Sequence, residues 1–246
     1  MTQKFYQSKV LQNLHLFRVC PSQDGSSYPP GLMRHPSDMF LIHKVCEYFR
    51  PTNVLEIGFA AGQTFGIIAE SCPVGCLLSS VDIDFGNKKI FDSIFTDQTN
   101  MQFLQIDSKL LDLPENHYDF MMIDGDHGYD HALSDVKTGL KSMKHNGIMC
   151  VDDFYIKDVW RVIEEQLVGQ NDWVPFLMGP QCMFFHHISH RADNFLDHWL
   201  PQTGRDLVKL YNISIIIGET RQFLSNCWIR YESIEDLIDR MRQYNL

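Results

Sequence analysis

At 246 residues with 44% hydrophobic side chains, the chain is long enough for one sizeable domain with an elaboration and short for two full domains. Its 21 Lys and Arg against 31 Asp and Glu give a net charge of −10 without a basic stripe, which argues against a nucleic-acid substrate. There is no apolar run of about 18 residues and no apolar stretch at the N-terminus, so neither a membrane span nor a signal peptide is expected, and the expected location is cytoplasmic.

The seven cysteines are scattered and odd in number, as buried free thiols are in a reducing compartment. Cys72 and Cys76 have no second Cys or His pair to complete a zinc site.

Residues 1–35 form an N-terminal segment whose second part, 22–31, is a loop by its Ser, Gly and Pro content, read as a lid over a site or, alternatively, a tail. A helix is predicted from Ser37 as N-cap to Phe49, with Leu41, Ile42, Val45 and Cys46 on one face, and Pro51 stops it. Apolar strands are then predicted at 53–58, 76–82, 101–106, 118–124 and 147–152. Helices alternate with them at about 63–71, 87–95, 129–143 and 155–168; in the third, Leu133, Val136, Leu140 and Met143 recur at helical spacing. Near-continuous apolar strands separated by helices predict an α/β fold, a mostly parallel sheet covered on both faces. A hairpin over 172–178 and 182–187 closes it around Gly179 and Pro180.

Residues 188–246 break the pattern. A short helix at 195–200, a β-type run at 207–217 with a partner at 222–231, and a final helix capped by Ser233 make an α+β extension. It is read as accessory, for substrate contact or for dimerisation into a homo-oligomer.

Function is read at the strand ends, because open α/β sheets bind ligands outside the carboxyl ends of their strands. The first strand leads into Glu56-Ile57-Gly58-Phe59-Ala60-Ala61-Gly62, an acid and a tight glycine turn opening a helix. The next four strands deliver Asp82, Asp107, Asp124, and Asp152 with Asp153. So much like charge at one edge is costly without a cation, and a metal or a sulfonium would relieve it. A dinucleotide turn wants glycines where this chain has Ala60 and Gln63, which lowers a dehydrogenase reading.

The glycine turn resembles the E-x-G-x-x-x-G motif of class I S-adenosylmethionine-dependent methyltransferases. Ile123-Asp124-Gly125-Asp126-His127-Gly128-Tyr129 and Gly147-Ile148-Met149-Cys150-Val151-Asp152-Asp153 resemble the group called methyltransferase family 24, similar in layout to the metal-dependent catechol-type O-methyltransferases. The resemblance covers about 36–187 and implies a Rossmann-like, seven-stranded, mostly parallel sheet that binds S-adenosylmethionine.

It also implies roles for individual residues. Glu56 and the backbone of the turn, Gly58, Phe59, Ala60 and Gly62, would line the methionine part of the cofactor, and Thr64 and Asp124 also belong to the cofactor-binding set. Asp82 would take the ribose hydroxyls, and Asp107 and Ser108 would sit beside the adenine. Asp124, Asp152 and Asp153 match the metal ligands, and an oxygen-only set suits Mg²⁺ or another divalent cation. The catechol-type enzymes have Asn where this chain has Asp153, and Lys as base where it has His127.

The implied activity is metal-assisted methyl transfer to a hydroxyl of a small molecule, a sugar or a polyketide. The catalytic set is His127 as base with Asp124 and Asp153. Two alternatives stay open at this point, a hydroxylase-like enzyme on the same fold and a non-catalytic cofactor-binding module.

Overall fold

The computed structural model describes Phe5, residues 7–13, Leu16, Arg34 and residues 36–187, except 98, 99, 169, 171 and 180. The expected extension at 188–246 and the loop at 22–31 lie outside the described residues.

Among the described residues, helices α1 (Lys9–Gln12) and α2 (Pro36–Phe49) precede the sheet. Strand and helix then alternate through β1 (Asn53–Ile57), α3 (Gln63–Ser71), β2 (Leu77–Asp82), α4 (Lys88–Ile94), β3 (Met101–Gln105) and β4 (Tyr118–Ile123). They continue through α5 (Tyr129–Ser142), β5 (Met143–Val151) and α6 (Lys157–Gln166), and the hairpin of β6 (Trp173–Met178) and β7 (Met183–His187) follows. α2 starts on Pro36, which suits the first helical position with its fixed φ and missing N–H, so Ser37 falls inside the first turn and not at the cap.

The seven strands form one sheet in the order β3-β2-β1-β4-β5-β7-β6. β1 to β5 are parallel, β7 runs antiparallel to β5, and β6 antiparallel to β7. The order reverses between β1 and β4, so the crevice for a ligand lies at their carboxyl ends.

Both faces are covered. On one, Phe40, Ile42 and Val45 of α2, Phe65 and Ile68 of α3 and Phe91 of α4 pack against Val54, Leu78 and Phe120. On the other, Ala132 and Val136 of α5 and Val159, Val162 and Ile163 of α6 pack against Leu55, Met121, Met149 and Phe185. Each large apolar side chain buried there contributes roughly 1.5–3 kcal/mol.

The buried stripe of α5 is Ala132, Asp135, Val136 and Gly139, while Leu133 and Leu140 are only partly buried and Met143 belongs to β5. The small residues set the distance to the sheet. A Cβ on Gly139 would lie 2.5 Å from the Met149 methyl. β5 begins four residues earlier than expected because Met143 pairs with Tyr118 ahead of a register shift, after which Ile148 pairs with Phe120.

Candidate active site

The turn after β1 is built by close backbone approach. Gly58 has φ +96°, its N–H donates to the Val81 carbonyl at 2.8 Å, and a Cβ there would sit 1.8 Å from the Asp124 carbonyl oxygen. Only glycine fits. Gly62 (φ +77°) faces the Phe59 ring, which would stand 2.5 Å from an added Cβ. Ala60 is left-handed too, at φ 45°, a strained state for a residue with a Cβ.

What holds the turn is Asp82 at the end of β2. Its Oδ2 accepts from the N–H groups of Phe59 (2.7 Å) and Ala60 (3.0 Å), and its Oδ1 from Asp84 N–H (3.0 Å). Those two N–H groups therefore face Asp82. The Phe59 ring points into the core, with centroids 5.1 Å from Phe85, 5.4 Å from Phe91 and 5.5 Å from Phe103.

Glu56 is fully buried. It pairs in register with Ser80, whose hydroxyl donates to Oε2 at 2.8 Å, while Oε1 has no hydrogen-bond partner. Burial pushes its carboxyl up to about 8, against the pull of Ser80 and Arg34. Folded Glu56 therefore holds a proton that the unfolded chain releases between its ordinary 4.5 and about 8, and stability falls as pH rises through that window. Glu56→Gln is expected to remove on the order of a few kcal/mol of that decline. Urea unfolding of both proteins at pH 5 and pH 8 measures it, and an unchanged slope would mean that Glu56 is ionised in the fold.

Asp107, the N-cap of the 3₁₀ turn Ser108–Leu110, accepts from Lys109 N–H at 2.9 Å. Behind it, burial lifts Asp135 to about 6, with the Ser108 hydroxyl opposing. His131 lies 3.9 Å from Asp107 and 3.5 Å from Asp126. Neither Asp135 nor His131 stood out in the sequence, where each reads as an ordinary residue of an amphipathic helix.

The acids after β4 and β5 form two groups that share Asp124. Asp124, His127 and Asp153 place one donor atom each within 4.8 Å of one another. His127 Nε2 lies 2.8 Å from Asp153 Oδ2; the His127 side chain is 45% exposed and that of Asp153 13%. The Asp153 hydrogen bond raises the His127 pKa above its ordinary 6.5. Asp153 is left-handed at φ 50°, and its Oδ1 is buried without a hydrogen-bond partner.

Asp152 faces the other way, into a buried ion pair. Arg34 donates from one terminal nitrogen to Asp152 Oδ1 and from the other to Asp124 Oδ2. Its Nε donates to Thr64 Oγ1 at 3.0 Å, and Cys182 Sγ lies 2.8 Å from the nitrogen that binds Asp152. Asp152 is the inner carboxylate, its side chain 6% exposed against 22% for Asp124. Burial opposes its ionisation, but Arg34, together with hydrogen bonds from Asp124 and Cys182, holds Asp152 below the usual range. Burial pushes Asp124 up, with Arg34 pulling the other way.

Asp38, on α2, joins this group from behind, accepting from Cys182 N–H at 3.2 Å. Burial and the Asp152 charge push its carboxyl up to about 8. A hollow of about 440 Å³ beside Phe5, His43, Glu47 and Glu70 lies near the opposite edge of the sheet and holds none of these groups.

Strand order, glycine turn and the acid ending β2 are those of the class I S-adenosylmethionine-dependent methyltransferase fold. Residues 55–154 match the model of methyltransferase family 24, described as a methyltransferase domain, and this chain carries such a domain.

Similar solved structures share the fold at low identity. The O-methyltransferase TomG of Streptomyces achromogenes, involved in tomaymycin synthesis, is 16% identical with TM-score 0.54, over 66% of this chain and 84% of its own. A putative O-methyltransferase from Klebsiella pneumoniae is 12% identical with TM-score 0.52, over 77% and 90%. The N-methyltransferase NodS of Bradyrhizobium japonicum WM9, in complex with S-adenosylhomocysteine, is 16% identical with TM-score 0.50, over 74% and 98%. No curated protein sequence matches the chain.

Proposed function

We propose that this methyltransferase moves the methyl group of S-adenosylmethionine to a hydroxyl of a small molecule, a sugar or polyketide-like compound. The observation that carries the reading is the His127–Asp153 contact of 2.8 Å at the carboxyl edge of the sheet. A neutral amine attacks a sulfonium methyl without help, whereas an alcohol must lose its proton as it attacks, and a paired imidazole supplies the base. Two of the similar structures are O-methyltransferases by name, in keeping with a hydroxyl acceptor.

The residues would divide the work as follows. Asp82 and the glycine turn frame the cofactor crevice at β1, with Asp107 and Ser108 on the adenine side. Nε2 of His127 faces Asp153, which leaves Nδ1 for the substrate. The hydroxyl oxygen attacks the methyl carbon in line, the carbon–sulfur bond breaks to give S-adenosylhomocysteine, and the proton passes to Nδ1. Asp153 then stabilises the imidazolium.

A divalent ion on Asp124, Asp152 and Asp153 does not fit these residues, because a guanidinium already bonds two of the three carboxylates. The donors that do converge, Asp124, His127 and Asp153, include both members of the base pair. No step of this reading passes through an ion.

Calorimetry with S-adenosylhomocysteine, followed by a transfer screen of hydroxylated and amino compounds, tests the proposal. Stoichiometric conversion of the cofactor with a hydroxyl acceptor is expected, with and without EDTA. Absence of cofactor-product binding, or transfer to amines alone, would overturn it.

A further inference from the structure

We infer that Arg34 is a built-in cation, taking the place between Asp124 and Asp152 that the catechol-type layout gives to a metal. The inference concerns the same site as the proposed methyl transfer, but its test reads ion binding and not turnover.

Three observations carry it. The Arg34 guanidinium is the group that bridges Asp124 and Asp152, one terminal nitrogen to each. Its side chain is 4% exposed, so its partners are fixed by the fold and not by solvent. The remaining contacts, to Thr64 on α3 and Cys182 ahead of β7, hold the planar fork in place, so that four separate chain segments meet on one side chain.

Charge makes the same point. Asp38, Glu56, Asp124 and Asp152 all feel the Arg34 charge as a stabilising influence on their ionised forms. A divalent ion seated between Asp124 and Asp152 would have to share oxygens with a guanidinium or expel it, and like charges at that range repel strongly in a buried site. Arg34 cannot shed its charge to make room. Its side chain therefore supplies in cis the neutralisation that an ion would supply, and couples the N-terminal segment to the carboxyl edge of the sheet.

The test is Mn²⁺ binding to the full chain, followed by electron paramagnetic resonance of the free ion and by thermal shift. The wild type is expected to lack any Mn²⁺ site that depends on Asp152. Arg34→Met vacates the position, so Mn²⁺ affinity should rise by about tenfold or more, and adding Asp152→Asn should abolish the gain. Mn²⁺ should also raise the melting temperature of Arg34→Met and leave that of the wild type unchanged.

Wild-type Mn²⁺ binding that Asp152→Asn weakens by about tenfold or more would overturn the inference, and so would a folded Arg34→Met chain with no gain. Should Arg34→Met fail to fold, Arg34→Lys decides. A lysine chain without an Asp152-dependent site supports the built-in cation, and one with such a site refutes it. Neither result depends on the methyl acceptor, so failure of the proposed activity would show separately.

Discussion

Replacing His127 by Ala is expected to lower kcat for methyl transfer by about 10²- to 10⁴-fold, or about 3–5 kcal/mol, while S-adenosylhomocysteine binds with unchanged affinity. His127 is half-exposed at the mouth of the crevice and packs into neither face of the sheet, so its loss removes a base without opening the core. The pH profile separates a base from a merely structural histidine. Asp153 stabilises the protonated ring and raises its pKa, so the free Nδ1 becomes available only above that raised value. Activity should therefore climb with pH through the His127 titration. Asp153→Asn removes the cause of the shift. The acid limb of kcat/KM should move to lower pH, and the plateau should fall because the imidazolium loses its partner. A profile identical in wild type and Asp153→Asn, or a kcat that survives His127→Ala, would exclude this base.

The sheet was legible because its physics is local. Runs such as Asn53–Ile57 and Tyr118–Ile123 are apolar enough to be buried on both faces, and the glycine turn and the acids after each strand mark the edge where ligands bind. The need for a cation among those acids was legible too. Its source was not, because Arg34 lies 90 residues from Asp124 and 118 from Asp152, in a segment with no periodicity to place it. A lone arginine beside a helix start looks like a surface residue until the fold buries it. Asp38 was hidden for the same reason. It reads as a first-turn acid of α2, and only the hairpin closing over it, with Cys182 N–H at 3.2 Å, makes it part of the site. Phe59 shows the converse. Its place in the glycine motif suggested a backbone contact to the cofactor; its ring belongs to an aromatic cluster under the turn, which the motif did not reveal, and its backbone N–H is bound to Asp82.

The second large effect is on stability. Arg34→Met is expected to destabilise the chain by about 3–5 kcal/mol at neutral pH, the usual cost of leaving a buried charge without its partner. The pH dependence gives the sign. With Arg34 present, Asp152 titrates below the usual carboxylate range, so its contribution to stability is present above the unfolded pKa and fades as pH falls through the folded one. Without the guanidinium, burial acts on Asp152 against only its hydrogen bonds with Asp124 and Cys182, and its folded pKa rises from the wild-type value. Between these two folded values the variant binds more protons than the wild type, so the gap between them must widen as pH rises and narrow as it falls. Urea unfolding at pH 5 and pH 8 measures that gap. Adding Asp124→Asn and Asp152→Asn to Arg34→Met should recover much of the loss, because removing all three charges leaves polar groups that the site can satisfy, whereas removing one strands the other two. A triple variant no more stable than Arg34→Met would trace the loss to packing of the arginine stem and not to its charge.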